Sequence, residues 1–170
     1  MLDFLSNLCL LGNYTGGNCV NSTNLSTLLG DMAPKENNGY EERTNVIFSE
    51  FEHFFNTDAK KAIFLEGTLV QYLLNIQKFQ RGSAPFRTKL RGLNLDERYI
   101  KRLFPEIINK LEEYDANYYK ELEYLISKYM IQSGNNWKMS NDEISFYFVL
   151  GMNLSNLLKS PKPEKEIKND

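Results

Sequence analysis

His53 is the only histidine in the chain, and Cys9 and Cys19 are the only cysteines. A Ser-His-Asp or Cys-His arrangement could be built only on His53, and neither cysteine stands in a recognisable nucleophile context. One histidine cannot make a histidine-rich metal site. Two cysteines without a CxxC or Cys/His cluster give no disulfide framework, and they read as free thiols in a reducing compartment. Carboxylates need separate treatment, because metal-dependent nucleases can run on Asp and Glu alone. Glu112, Glu113, Asp115, Glu121 and Glu123 form an acidic region. They occupy solvent-facing positions between apolar stripes, so they read first as a solvated helix face, then as a subunit contact, and last as a metal site. No Walker loop and no GxGxxG after a strand is present, so ATP hydrolysis and dinucleotide binding have no support. The expectation is a protein that is not an enzyme and needs no cofactor.

The strongest chemical signal is a charge reversal. Residues 78–102, KFQRGSAPFRTKLRGLNLDERYIKR, hold eight basic residues: Lys78, Arg81, Arg87, Lys89, Arg91, Arg98, Lys101 and Arg102. They hold two acids, Asp96 and Glu97, so the block is +6 on a chain whose net charge is −2. A cationic block on an anionic chain is the electrostatic footprint of a local nucleic-acid contact. Arg87 and Arg91 are an i, i+4 pair, and Phe79, Phe86 and Tyr99 lie among the charges where they could stack bases. No recognition-helix or zinc-finger pattern accompanies them, which points to backbone contact without sequence reading. The competing reading is a solubilising face, or a contact with an acidic neighbouring subunit. Phe79 and Phe86 could equally be core.

These residues must be held by helices. Residues 2–11 read as a short apolar helix and 12–42 as a mobile Gly/Asn-rich loop. From Thr44, Val46, Ile47, Phe51, Phe54 and Phe55 share a helical face. Asn56-Thr57-Asp58 supplies a cap for a central helix over about 58–80, apolar on most sides and therefore buried among other helices. Gly67 sits inside it at a cost of roughly 1 kcal/mol against Ala, so close approach of a neighbouring backbone is the expected return. Ser83 is expected to cap a short helix with Pro85 in its first turn, ended by Gly92. Asp96 opens the next helix, which Pro105 should kink or break. Further stripes follow: Ile107, Ile108, Leu111 and Tyr114, then Tyr118, Leu122, Leu125 and Tyr129. Trp137 falls in the next loop, as a packing residue or a partner contact. Ser140 and Glu143 form a capping box for a helix reaching about Leu158. The fold class is all-α: a bundle of five or six helices over 44–159, with 1–43 as helix plus loop and 160–170 as a disordered charged tail. The start lacks the positive region of a signal peptide, and no apolar run approaches bilayer length, so a soluble intracellular protein is expected.

Four blocks carry a resemblance: KAIFLEGTLVQYLLNIQ (61–77), GSAPFRTKLRGLNLDE (82–97), LFPEIINKLEEYD (103–115) and DEISFYFVLGMNL (142–154). In this order they resemble the C-terminal region of the large subunit of type I-B CRISPR Cascade complexes, over roughly residues 45–155. In such systems that region can also be made as a separate small subunit from an internal start site. The size of the chain and its own Met1 fit that small subunit. The resemblance implies a non-catalytic helical bundle in a crRNA-guided antiviral complex of the prokaryotic cytoplasm. It implies contacts with the backbone subunits, the large subunit and further copies of itself, and sequence-independent contact with the displaced non-target DNA strand of the R-loop. By position, the resemblance makes the GSAPFRTKLRG block the DNA-facing element. A purely architectural subunit, its basic block set against acidic neighbours, is the alternative. The loop at 12–42 matches nothing in that family.

Overall fold

Six α-helices and a closing 3-10 turn make up the described residues of the computed structural model, which are 39–90, 95–114 and 119–158. All of them fall in one unit, Glu36–Asp170. The expectations for residues 2–11, most of 12–42, Arg91, Gly92, Asp115, Tyr118 and the tail 160–170 lie outside the described residues. The all-α expectation holds: among the described residues there is no strand.

Helix α1, Tyr40–Glu50, starts earlier than the stripe from Thr44 suggested. Its opening turn is capped from a distance, because Glu121 Oε1 accepts the Glu41 amide proton at 2.8 Å. It stops at Glu50, and Phe51–Phe55 continue as turns. Those turns fold aromatic rings into the core: Phe48 meets Phe55 at 4.8 Å and Tyr129 at 5.8 Å, and Phe54 meets Tyr147 at 5.0 Å. The Tyr147 hydroxyl donates to the Phe54 carbonyl at 2.9 Å.

Helix α2, Asp58–Arg81, is the axis of the described helices. Thr57 caps it, accepting the Lys60 amide, and Gly82 ends it in the left-handed region at φ 67°. Every residue from Ala62 to Val70 is buried, so neighbours surround the helix at mid-length. Helix α6, Asn141–Leu154, crosses it there. A Cβ on Gly67 would stand 2.0 Å from the Phe148 carbonyl oxygen, and one on Gly151 would stand 1.8 Å from the Phe64 carbonyl oxygen. Each glycine makes room for the other helix's backbone. Thr68 Oγ1 spans the crossing, donating toward the carbonyls of Phe64 and Gly151, both at 3.2 Å. The close approach expected of Gly67 is present, and its counterpart is Gly151.

Helix α3, Phe86–Lys89, is one turn long and starts after Pro85 with no side-chain cap. The cap expected from Ser83 is absent; Gln77 Oε1, buried on α2, instead accepts the Phe86 amide proton at 3.0 Å. Helix α4, Glu97–Glu112, is capped by Asp96, which accepts the Tyr99 amide at 2.7 Å. Pro105 lies inside α4 and does not break it. The helix survives because Ile100, Leu103, Ile107, Ile108 and Leu111 bury one face, while Pro105 sits on the exposed face, where a lost backbone hydrogen bond costs less than it would in the core. Helix α5, Lys120–Ser133, follows, and then α6 with its capping box: Ser140 Oγ accepts the Glu143 amide and Glu143 Oε2 accepts the Ser140 amide. Tyr99 senses Glu66, and Arg81 lies over Tyr114, so α4 runs in the same direction as α2. Lys101 reaches the Gly134 carbonyl, which brings the end of α5 to the start of α4.

Candidate nucleic-acid interface

The chain doubles back between α2 and α4, and the basic block is that connection with its two flanking helices. Its residues therefore spread along α4, whose 16 residues span about 24 Å, and do not collect at one point.

At the end of α2, Lys78 and Arg81 are exposed in the last turn, where cations suit the negative end of the helix dipole. The Arg81 guanidinium lies 5.1 Å over the Tyr114 ring. Between them Phe79 is 91% exposed. In the connection, Arg87 and Lys89 are exposed on α3, and Lys89 pairs with Glu106 of α4. Phe86, the other phenylalanine of the block, is 4% exposed and belongs to the core. At the start of α4, Arg98 and Arg102 are exposed, one turn apart on the outer face. The positive end of the α4 dipole disfavours a cation in the first turn, so the dipole does not account for Arg98. Arg102 lies 5.4 Å over the half-buried Tyr99 ring.

Lys101 faces the protein. Its ammonium group donates to Glu97 Oε1 at 2.7 Å and to the Gly134 carbonyl at 3.1 Å, and it sits 4.7 Å over the buried Trp137 ring. Glu97 Oε2 accepts the Trp137 amide at 3.1 Å. Burial raises the Glu97 pKa, but the hydrogen bonds from Lys101 and the Trp137 amide, with the charges of Lys101 and Arg98, outweigh it and hold the carboxyl below its usual range. Trp137 is thus a packing residue that pins the 134–140 loop to α4. Arg91, the eighth basic residue, lies outside the described residues, and so does its expected pairing with Arg87. Among the described residues Lys78, Arg81, Arg87, Arg98 and Arg102 form no ion pair.

Of the described acids of the acidic region, Glu112 and Glu123 both lie near Tyr119. Glu121 serves the α1 amide, Glu113 pairs with Lys110, and no group of three or more His, Cys, Asp or Glu that could hold a metal occurs among the described residues. His53 is exposed in the turn after α1. No helix among the described residues is long and apolar enough to cross a membrane.

Sequence reasoning missed Glu66. It is fully buried at mid-α2, neither carboxyl oxygen has a hydrogen-bond partner, and burial pushes its pKa well above the ordinary carboxylate range. Its one signal was position: a lone acid within AIFLEGTLV, in a helix apolar on most sides. The exposure of Phe79 had no such signal. Phe79 follows Ile76 by three residues and continues the buried Leu65-Leu69-Leu73 stripe, so its exposure is visible only in the structure.

A family model described as "CRISPR-associated protein TM1802 (cas_TM1802) C-terminal domain" matches residues 1–166. No curated protein and no solved structure matches the chain.

Proposed function

The chain belongs to the family of CRISPR-associated TM1802 C-terminal domains, and from that premise we propose that it is a non-catalytic small subunit of a type I-B crRNA-guided surveillance complex. In this reading it bridges the backbone and large subunits in the prokaryotic cytoplasm, beside further copies of itself. Its basic surface steadies the displaced non-target strand. The observation that carries the reading is the set of five exposed cations, Lys78, Arg81, Arg87, Arg98 and Arg102, without a carboxylate partner among the described residues. Opening an R-loop exchanges one duplex for another at nearly equal free energy, so modest contacts to the displaced strand tip the balance. A surface that binds any sequence through phosphates suits that task.

Lys89 and Lys101 favour a second reading. Both already pair with carboxylates, at Glu106 and Glu97. Basic residues of this block therefore suit acidic protein surfaces as well, and a purely architectural subunit would use the remaining cations against a neighbour.

One experiment separates the two. Arg81, Arg87, Arg98 and Arg102 are replaced together by Glu in the reconstituted crRNA complex, and target-duplex affinity is followed across a salt series. Strand contact predicts normal incorporation on gel filtration. It also predicts a plot of log K against log salt that is shallower by roughly 0.7 for each lost phosphate contact. A variant that drops out of the complex supports the architectural reading. A variant that incorporates with unchanged affinity and slope refutes both.

A further inference from the structure

We propose that Phe79 is a base-stacking platform for single-stranded DNA, with Lys78, Arg81 and Arg87 as its phosphate contacts. The inference rests on the strand-holding reading above and names the site where a base is engaged.

Burial separates the three aromatic residues of the basic block. Phe86 is core, and Tyr99 is half-buried with Arg102 already over its ring. Phe79 alone is left to solvent, at 91% exposure, the most exposed large apolar side chain among the described residues. Nothing in the fold accounts for it. Among the described residues it packs on no ring, and the neighbouring Lys78, Gln80 and Arg81 are exposed with it. One residue beyond Arg81 the helix has already ended at Gly82, so the ring stands on the last turn of α2.

The surroundings identify the occupant as anionic. Lys78, Arg81 and Arg87 carry three positive charges around the ring's segment, and none is paired with a carboxylate among the described residues. A protein partner seated on Phe79 would have to strip water from Lys78, a residue type in which protein interfaces are depleted, and would need carboxylates to meet all three cations. A single strand meets both requirements at once: its bases present faces to the ring and its phosphates reach the cations. Every base has such a face, so the contact carries no sequence requirement.

The test uses the full chain and a fluorescently labelled oligothymidylate, read by anisotropy over a salt series. Phe79→Ala should weaken binding roughly 5- to 150-fold, the loss of one stacked base, with the salt slope unchanged. Phe79→Trp should retain affinity, and the new indole should be quenched on binding while the buried Trp137 is not. An oligonucleotide made wholly of abasic sugar-phosphate should bind Phe79→Ala and wild type equally. If Phe79→Ala binds normally while Lys78→Glu/Arg81→Glu/Arg87→Glu binds weakly, stacking is overturned and the strand-holding reading stands. If neither variant changes binding, both fall. If Phe79→Ala keeps its DNA affinity but leaves the assembled complex, the ring is a protein contact and the proposal is wrong.

Discussion

Gly151→Ala tests the central packing of the molecule by its sign. Inside a helix, alanine in place of glycine should stabilise by about 1 kcal/mol. At this position the new methyl carbon would stand 1.8 Å from the Phe64 carbonyl oxygen, where ordinary contact starts at 3.4 Å, so α6 must retreat from α2 by about 1.6 Å. The obstacle is main chain, which cannot swing aside as a side chain would. A gap of 0.5–1 Å already forfeits roughly a quarter to a half of each dispersion contact. The retreat also breaks the 3.2 Å hydrogen bond from Thr68 Oγ1 to the Gly151 carbonyl, worth about 1 kcal/mol, although the hydroxyl keeps its bond to Phe64. Overpacking costs of about 1–3 kcal/mol are typical. Set against the helix-propensity gain, the net destabilisation should be about 1–3 kcal/mol, and Tm should fall by roughly 2–12 °C for a chain of this length. Circular dichroism melts of wild type, Gly67→Ala, Gly151→Ala and the double variant would measure it. Both glycines serve one crossing, so the double variant should be less destabilised than the sum of the singles. A Gly151→Ala protein that melts above wild type would refute the crossing as described.

Glu66 should make stability depend on pH. Its folded pKa is raised, so above the unfolded value of about 4.3 the folded chain holds the extra proton, and stability falls as pH rises, by up to about 1.4 kcal/mol per pH unit, until the folded pKa is passed. Glu66→Gln should therefore gain on wild type between pH 5 and pH 7 in urea titrations; parallel curves would contradict an unpaired buried carboxyl. Ser140→Ala removes one arm of the α6 capping box and should cost about 1 kcal/mol in the same titration. Lys101→Met should loosen the 134–137 segment, shifting Trp137 emission to the red and costing about 1 kcal/mol, with no change in the salt slope of DNA binding. A slope change there would show that Lys101 contacts phosphate.

Contacts between near neighbours in the chain were legible from residue order. Thr57, Asp96 and Ser140 each bond an amide three residues ahead, so residue type and spacing are enough to place them. The helix period likewise marked α2 as buried on most sides. The Ser83 cap is absent and Pro105 does not end its helix, because distant partners overrode local preference. Gln77 took the amide that Ser83 was expected to serve, and the buried face of α4 held the helix together through its proline. Helix boundaries shifted in the same way, with α1 starting where Glu121 could reach its first amide.

The basic block shows the division most sharply. Its composition determined by itself that a local cationic surface exists on an acidic chain, since charge is a property of residue type. Composition could not separate Phe79 from Phe86, or Lys101 from Arg102. Phe86 is turned inward by Gln77, nine residues before it, and Lys101 by Gly134, 33 residues after it, and by Glu97, four residues before it but itself held by the Trp137 amide 40 residues on. Phe79 and Arg102 are left facing solvent. Which side of a turn meets the body of the protein depends on where α2, α4 and α5 finally lie against one another. That arrangement is set by the packing of the whole core, so only the tertiary structure decided which cations remain open to a partner.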